Sequence, residues 1–339
     1  MAGGQERILK GRIRTVQATK KLTRAFELIA ASRIVRAQVR VAAARPYSEK
    51  VTQVISNLAA GGAGLDHALL RDPIEVRKVA YVVIAADRGL CGGYNTNVLR
   101  AAERAIAADR AKGQDYELIL SGKKARGYFQ FRKYRIEDRF EGYSDEPGYE
   151  DARRLAAASS ALFNSGEVQE VRIVYTQFRS LGAQEVAVVP FMPLGADFLS
   201  QVAGDRAGGD RAAGDGAAAE GGVPALYEFE PEPDAILDRL LPRYAEARLY
   251  AALLEASASE HAARQRAMKA ATDNAEDLIV NLIRIMNRAR QESITTEIME
   301  IVGGAEALKR GGKLVSEDLL SDLIEGRRAE VFRQRVQVG

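Results

Sequence analysis

The segment from Tyr244 to Val302, YAEARLYAALLEASASEHAARQRAMKAATDNAEDLIVNLIRIMNRARQESITTEIMEIV, decides the fold of this chain. No glycine or proline lies between Pro242 and Gly303, and apolar residues recur along the segment at helical spacing. The apolar stripe comprises Leu249, Leu253, Leu254, Met268, Ala271, Ala275, Leu278, Leu282, Ile285, Met286, Ile294, Ile298 and Ile301. This spacing predicts one amphipathic helix, roughly 85–90 Å long at about 1.5 Å per residue. Such a helix requires a partner, since its apolar stripe is not stable in water.

The N-terminal segment supplies that partner. From about Gln5 to Asn57, apolar residues again recur at mostly three- and four-residue steps, which predicts a second long helix. Pro46 is expected to kink this helix or to end its first half, and the glycines after Ala60 are expected to end it. The economical arrangement packs the two terminal helices against each other as an antiparallel coiled coil.

Between the helices, short apolar runs alternate with helical patterns. The runs that predict strands are Val79–Ala86, Glu117–Ser121, Val171–Phe178 and Glu185–Phe191. Helical patterns at Asn97–Ala111 and Tyr149–Gly166 separate them, and Arg132–Phe140 is a candidate edge strand. Alternation of strand and helix is typical of a small α/β, Rossmann-like domain with a largely parallel sheet. The predicted fold class is therefore α/β, with a long antiparallel coiled coil of the N- and C-terminal helices.

The residue boundaries divide the chain into five predicted segments. They are an N-terminal helix (1–60), a central α/β domain (75–195), a flexible insertion loop (200–226), a C-terminal helix (234–308) and a tail (309–339). The loop contains GDRAGGDRAAGDGAAAEGG at Gly204–Gly222, which cannot bury a core. Asp234 is the predicted N-cap of the second helix, and Pro242 either kinks it or moves its start one turn later. Weak helical patterning at Asp318–Arg328, flanked by glycines, suggests a tethered tail.

Composition limits the possible chemistry. Cys91 is the single cysteine, so neither an internal disulfide nor a multi-cysteine metal site is expected. His67 and His261 are the only histidines, and both are interpreted as surface residues. The chain contains no tryptophan and only 6% aromatic residues, which disfavours base-stacking platforms for nucleic acid. No apolar run is long enough to cross a bilayer, and the N-terminus lacks a signal-peptide core. Any membrane contact is therefore expected through a partner.

Charge is unevenly distributed, although the net charge is only +3. Basic residues far outnumber acidic ones between Met1 and Lys50, whereas Asp215–Asp234 is acidic. The N-terminal helix is interpreted either as a basic helix facing an acidic partner or as a solvated basic face.

The glycine-rich stretch DRGLCGGYN (Asp87–Asn95) follows the first predicted strand. A loop in that place can cradle phosphate. This one lacks the Lys and Ser/Thr of a P-loop and the spacing of a dinucleotide fingerprint, which favours a tight structural turn.

Three segments together resemble the gamma subunit of bacterial F-type ATP synthases. They are IRTVQATKKLTRAFELIAASRIVRAQ (Ile13–Gln38), DRGLCGGYN, and the stretch from Arg266 to Leu308 that includes RARQESITTEIMEIVGGAEAL. The insertion at Gly204–Gly222 is similar to the longer central loops of actinobacterial versions. Two interpretations of it stay open: a loop that damps ATP hydrolysis, or a tolerated insertion. The tail beyond Leu308 departs from the family pattern, and its role is unknown.

The resemblance implies a non-catalytic rotor subunit that couples proton-driven rotation of a c-ring to ATP synthesis in a surrounding alpha/beta hexamer. Its implied partners are alpha, beta, epsilon and the c-ring, with no nucleic acid. The implied location is peripheral, on the cytoplasmic face of the bacterial membrane. No cofactor, metal or catalytic residue is expected.

The resemblance also implies roles for individual residues. Contacts with beta are expected from Lys20, Arg24, Phe26, Arg264, Arg290, Gln291 and Thr295. A structural turn is expected from Gly89, Cys91, Gly92 and Gly93, and contact with the c-ring or epsilon from Tyr227 and Glu230. From the residues alone, ordinary helix-surface polarity or a packed loop tyrosine explains many of these equally well.

Two other classes of function stay open on the sequence. A coiled-coil nucleic-acid-binding protein would use the basic helix and show salt-dependent affinity. An enzyme with an α/β ligand-binding domain would bind nucleotide, but the chain lacks a recognisable phosphate loop or catalytic constellation.

Overall fold

The structure is a computed structural model that describes residues 2–60, 69–70, 73, 75–194 and 232–336. Its elements follow in the order α1 (Ala2–Ala60), β1 (Lys78–Ile84), α2 (Tyr94–Ala111), β2 (Asp115–Ser121), α3 (Lys123–Phe131), β3 (Asp138–Phe140), α4 (Tyr149–Asn164), β4 (Glu170–Phe178), β5 (Gln184–Met192) and α5 (Pro233–Val336). The chain divides into two compact units. The terminal unit comprises Met1–Lys21 and Thr272–Gly339, and the α/β unit comprises Leu22–Ala271.

The α/β unit is built on one five-stranded sheet with the order β3-β2-β1-β4-β5. Strands β1 to β4 pair in parallel, and β5 pairs antiparallel with β4 at one edge. The prediction of a Rossmann-like, largely parallel sheet is confirmed. The chain leaves β1 towards β2 on one side and later returns to place β4 on the other side. The carboxyl ends of β1 and β4 therefore form a topological switch point, where ligands bind in sheets of this kind.

Strand β1 lies at the centre of the core because both of its faces are covered. Val79, Tyr81 and Val83 pack into the cluster that contains the apolar residues of α2 and α3. The alternate residues of β1 pack into a second cluster with residues of α4 and α5. This two-sided burial explains why the β1 segment reads as a continuous apolar run rather than an alternating one.

Several predicted boundaries differ from the structure. Helix α1 does not end at Pro46, and α5 already begins at Pro233 and continues past Pro242. Proline removes one backbone hydrogen bond, but tertiary packing holds the flanking turns, since Leu241 and Tyr244 are buried on either side of Pro242. Helix α5 also continues through Leu308 to Val336. The short helix α3 has no counterpart among the predicted elements.

In the terminal unit, α1 and α5 run antiparallel. The Lys20 Nζ lies 3.0 Å from a carboxylate oxygen of Glu276, and Arg290 is close enough to Glu6 to help lower the pKa of that carboxyl, after the larger effect of Lys10. Each step forward along α1 thus matches a step backward along α5. The same register places Ala2 opposite Ile294. Ile298 and Ile301, further along α5, are exposed.

The coiled-coil prediction is consistent with this pairing, but its apolar stripe is buried only in part. Ile13, Ala275 and Leu282 are buried, whereas Leu278 and Ile285 are exposed. Among the described residues, no helix combines the length and the apolar composition that crossing a membrane requires.

Candidate functional site

The predicted contact residues on α1 present a mixed polar and apolar surface. Lys20 forms its ion pair with Glu276 inside the terminal unit. In the α/β unit, Arg24 donates from Nη1 to both carboxylate oxygens of Glu27 at 2.9 Å, and its side chain stays largely exposed. The Phe26 ring is also exposed. An exposed phenylalanine on a helix is suited to contact with another protein surface.

The predicted contact residues near the middle of α5 are also exposed. Arg290, Gln291 and Thr295 all face solvent in the terminal unit. The Thr295 hydroxyl donates to the Gln291 backbone carbonyl at 2.9 Å. This bond leaves the lone pairs of the hydroxyl and the whole Gln291 side-chain amide available to a partner.

The stretch after β1 forms a tight turn anchored by Asp87. Its carboxylate accepts hydrogen bonds from the backbone N–H groups of Lys123, Gly142 and Ser144 at 2.9–3.1 Å. Burial alone would raise the pKa of Asp87, but these donors stabilise the anion and lower it. A single carboxylate thereby ties the end of β1 to the loops that follow β2 and β3.

The glycines of this turn serve different purposes. Gly92 has φ +57°, a left-handed conformation that favours glycine, and Leu90 adopts a similar one at φ 61°. Gly93 is the N-cap of α2 with an ordinary φ of −80°. The Gly89 carbonyl accepts a hydrogen bond from Arg264 Nη2 at 3.3 Å. Only Gly92 among the predicted turn glycines is therefore required by its φ angle.

Cys91 is packed inside the turn. Its side chain is buried in a small cluster with Ala86 and Tyr94, and Asn95 Nδ2 donates to Sγ at 3.1 Å. Burial raises the pKa of the Cys91 thiol, so the reactive thiolate form is disfavoured.

A buried polar cluster joins α5 to the loop before α4. Glu260 and His261 are each only 1% exposed. Arg264 lies between them: Nη2 donates to Glu260 Oε1 at 2.6 Å, and Nη1 lies 3.3 Å from His261 Nδ1. The other ring nitrogen, Nε2, lies 3.1 Å from the Asp145 carbonyl oxygen. Because the guanidinium only donates and the carbonyl only accepts, the neutral Nε2–H form of His261 satisfies both contacts.

Asp145, Glu260 and His261 carry ligand atoms within 4.8 Å of one another, a spacing that a metal ion can use. The Arg264 guanidinium already supplies a positive charge among these groups, and it donates hydrogen bonds to Glu260 Oε1 and to His261 Nδ1. Arg33, on α1, adds a second cation at 2.7 Å from Asp145. The cluster therefore stabilises the packing of α1 and α5 on the sheet, and it is not suited to hold a metal.

The interpretation of His261 as a surface residue is wrong. Small neighbours on α5, such as Ala258 and Ala262, are themselves buried and allow close approach of the loop at Asp145. Arg264 was predicted to contact beta, yet its side chain is buried and its described partners lie within this chain. Asp87 and Asp145 were not singled out from the sequence. The position of Asp87 directly after a buried strand is a sequence signal for a structural role. Asp145 lies in a polar loop, and its sequence surroundings give no such signal.

Lowering the pH is expected to destabilise the α/β unit through His261. Burial, aided by Arg264, lowers the pKa of His261 to about 4, below its ordinary value near 6.5. The unfolded state therefore binds more protons between about pH 6.5 and pH 4, and stability falls as the pH drops through that window, by up to about 3 kcal/mol. The raised pKa of Glu260 acts in the opposite direction.

Urea unfolding at pH 7, 6 and 5 checks this expectation, with His261→Gln as the comparison. The wild type should lose stability over this range more steeply than the variant, because only the wild type carries the imidazole. Parallel pH profiles for the two proteins would contradict the assignment.

Several predicted positions lie outside the described residues. They are Tyr227 and Glu230, His67, and the insertion at 200–226. Their predicted roles stay predictions.

Comparison with known proteins identifies the family. A sequence model described as ATP synthase matches residues 5–308. The ATP synthase gamma chain of Kineococcus radiotolerans is 46% identical over 313 residues, which cover 91% of this chain and 98% of that protein. The gamma chain of Mycobacterium tuberculosis is 42% identical over 315 residues, covering 89% of this chain and 97% of that protein.

Solved structures share the fold at low sequence identity. One is a Euglena gracilis mitochondrial ATP synthase assembly of OSCP, F1 and c-ring, with a TM-score of 0.61, 18% identity, and coverage of 92% of this chain and 97% of that one. Another is the central stalk and c-ring of the Tetrahymena thermophila mitochondrial ATP synthase, with a TM-score of 0.53, 20% identity, and coverage of 74% and 99%. With a family model that spans nearly all of α1, the sheet and much of α5, and with relatives matched over almost their whole length, this chain belongs to the ATP synthase gamma chain family.

Proposed function

We propose that this chain is the central-stalk rotor subunit of an F-type ATP synthase. The observation that carries the proposal is the antiparallel pairing of α1 and α5 in the terminal unit, where the Lys20 Nζ lies 3.0 Å from a carboxylate oxygen of Glu276. Two paired helices resist twisting better than one, as a torque-transmitting element requires. The solved structures of similar fold, described as central stalk and rotor assemblies, support the same function.

In this function the chain couples proton-driven rotation of a c-ring to ATP synthesis in a surrounding alpha/beta hexamer. The chain supplies no catalytic group. Its surface differs from one side to the other, so each rotational position stabilises a different conformation of the neighbouring beta subunit. Coupling thus arises from differential binding rather than from chemistry on this chain.

The proposed contacts with beta use the exposed residues of both helices. On α1 these are Lys20, Arg24 and Phe26, within the basic surface that an acidic segment would complement. On α5 they are Arg290, Gln291 and Thr295. For Arg264 the proposed role is indirect: through its bond to the Gly89 carbonyl, it holds the turn after β1 in place.

The remaining partners are proposed to be epsilon and the c-ring. Tyr227 and Glu230 are proposed to face them. The chain would then lie peripherally on the cytoplasmic face of the bacterial membrane and contact the membrane only through these partners.

Co-purification tests the proposed assembly. A tagged full-length chain, expressed in its own bacterium, is expected to co-purify with alpha, beta, epsilon and c from solubilised membranes. The expected stoichiometry is one copy of the chain per alpha/beta hexamer. Recovery of the tagged chain without alpha and beta would refute the rotor function. The isolated chain is expected to show no ATPase activity.

The pair Gln291 and Thr295 provides a residue-level test. Replacing both by alanine in the assembled enzyme is expected to reduce ATP synthesis about thirtyfold, because two hydrogen bonds to beta are lost at about 1 kcal/mol each. Thr296→Ala is the matched control, since Thr296 Oγ1 also bonds a helix carbonyl four residues back at 2.9 Å. Equal activity of the double variant and the control would contradict the predicted contact. Measurement of ATP synthesis in inverted vesicles, with assembly verified by blotting for beta, separates coupling from assembly.

A further inference from the structure

A cavity lies at the switch point of the sheet, on the side of the turn after β1. Its volume is about 360 Å³, and Gly92, Gly93 and Asn97 line it at the start of α2. Thr176, near the carboxyl end of β4, lines it from the sheet, and Arg266 of α5 lines it from a third side. Crevices at this place in a doubly wound sheet are the usual ligand sites of such folds.

The start of α2 lines one end of this cavity. Gly93, the N-cap, has no side chain and makes no side-chain cap hydrogen bond. The Tyr94 N–H already donates to the Cys91 carbonyl at 3.2 Å, which leaves the amides of Asn95 and Thr96 as the first-turn donors without an intrahelical acceptor. The helix dipole places partial positive charge there. The N-terminus of an 18-residue helix therefore favours an anion at this end of the cavity.

The Thr176 hydroxyl is a second, independent indication of a ligand. Thr176 is only 4% exposed, and its Oγ1 has no hydrogen-bond partner in the described part of the chain. Leaving a buried hydroxyl unpaired is costly, so Thr176 Oγ1 calls for a partner such as a water molecule or a bound ion. Val174, two residues earlier in β4, is buried among apolar side chains and has no polar side-chain atom that needs a partner.

The charge of the cavity lining favours a negatively charged ligand. Arg266 donates from Nη1 to the Leu181 carbonyl at 2.7 Å and from Nη2 to the Gln184 side-chain oxygen, both of them neutral acceptors. The lining, all within the described chain, contains no carboxylate. A second cavity shares Asn97 with the first and adds Arg100, Arg104 and Arg132, which outnumber its one acid, Glu103.

The geometry points to a binding site for a small oxyanion in this cavity, with Arg266, the Thr176 hydroxyl and the start of α2 as its donors. An oxyanion of phosphate size fits the volume, and its oxygens would accept from the helix amides, from the hydroxyl and from the guanidinium at once. The site concerns only the α/β unit, so its existence does not depend on the proposed rotor function.

Phosphate titration of the purified full-length chain tests the site. We expect saturable binding, measured by ³¹P NMR line broadening at constant ionic strength. Arg266→Gln and Thr176→Val should each weaken binding about tenfold, the usual effect of one hydrogen bond to a charged group. A parallel titration with acetate shows whether a carboxylate, as on a protein side chain, serves as well as a free phosphate ion.

Two comparisons keep the test specific. Arg284→Gln should bind phosphate like the wild type, because Arg284 is another exposed arginine of α5 with a neutral partner, the Asn281 side-chain oxygen at 3.2 Å. Without phosphate, Thr176→Val should melt at the wild-type temperature or above, since it removes an unpaired buried hydroxyl. Absence of saturable binding of either anion, or wild-type affinity in both site variants, would overturn the proposal.

Discussion

Gly122→Ala is expected to destabilise the α/β unit by about 4 kcal/mol or more. Gly122 joins β2 to α3 with φ +97° and ψ 142°, a conformation that residues with a Cβ rarely adopt. An ideal Cβ at this position would overlap the backbone carbonyl oxygen of Ala85. Backbone at the end of the central strand would have to move, and Asp87, whose carboxylate binds the Lys123 N–H, would move with it.

Two other glycines separate the causes of this effect. Gly113→Ala tests the φ angle alone, because Gly113 has φ +83° with open space around its Cβ position, and it should cost about 1 kcal/mol. Gly127→Ala lies in α3 with open space and an ordinary φ, so it should be neutral or slightly stabilising.

Hydrogen exchange at the β1 amides is the suitable measurement. Far-ultraviolet circular dichroism would be dominated by the long helices α1 and α5, whereas exchange at Lys78–Ile84 reports on the sheet itself. Loss of protection in Gly122→Ala but not in Gly127→Ala is the expected result. If Gly122→Ala and Gly113→Ala lower the free energy of unfolding by the same amount, the close approach to Ala85 carries no penalty of its own.

Arg264→Met is expected to destabilise the α/β unit by about 3–5 kcal/mol. The substitution leaves Glu260, only 1% exposed, without the guanidinium that now lies 2.6 Å from its carboxylate. It also removes the donors to His261 Nδ1 and to the Gly89 carbonyl. Burial already raises the pKa of Glu260 despite the arginine, so loss of the arginine should force the carboxyl to take up a proton.

A double-mutant cycle isolates the ion pair from the lost volume. Arg264→Met combined with Glu260→Gln should recover a large part of the loss, because the second substitution removes the unpaired charge. Arg288→Met is the control: Arg288 and Glu292 form an i,i+4 pair of reversed order on the same helix at 3.0 Å, with side chains 81% and 65% exposed. That variant should change stability by less than about 0.5 kcal/mol. Additive effects of the two substitutions at 264 and 260 would show that the pair is not coupled.

The sequence allowed correct prediction of the elements that depend on local pattern. The four strand runs and the two helices Asn97–Ala111 and Tyr149–Gly166 lie where the periodicity indicated, within a few residues. The parallel sheet followed from their alternation. Family membership followed from the three quoted segments, and the matches to relatives confirm it.

Predictions from single residues were less reliable, because their outcome depends on distant contacts. Pro46 and Pro242 disfavour a helix locally, yet the helices continue through them, since apolar neighbours such as Val51 and Leu241 are packed in the core. His261 was assigned to the surface, because spacing alone does not show that a loop more than a hundred residues earlier in the chain packs over it.

The sequence by itself determined two long amphipathic helices, a parallel sheet and the family of the chain. These depend on periodicity and on local motifs, which act over a few residues. Tertiary structure decided which polar residues are buried and paired. Glu260, His261, Arg264 and Asp145 form one cluster, and Thr176 faces a cavity with its hydroxyl unpaired, only because residues far apart in sequence meet there. Burial and pairing are properties of the assembled surroundings, and no short stretch of the chain contains them.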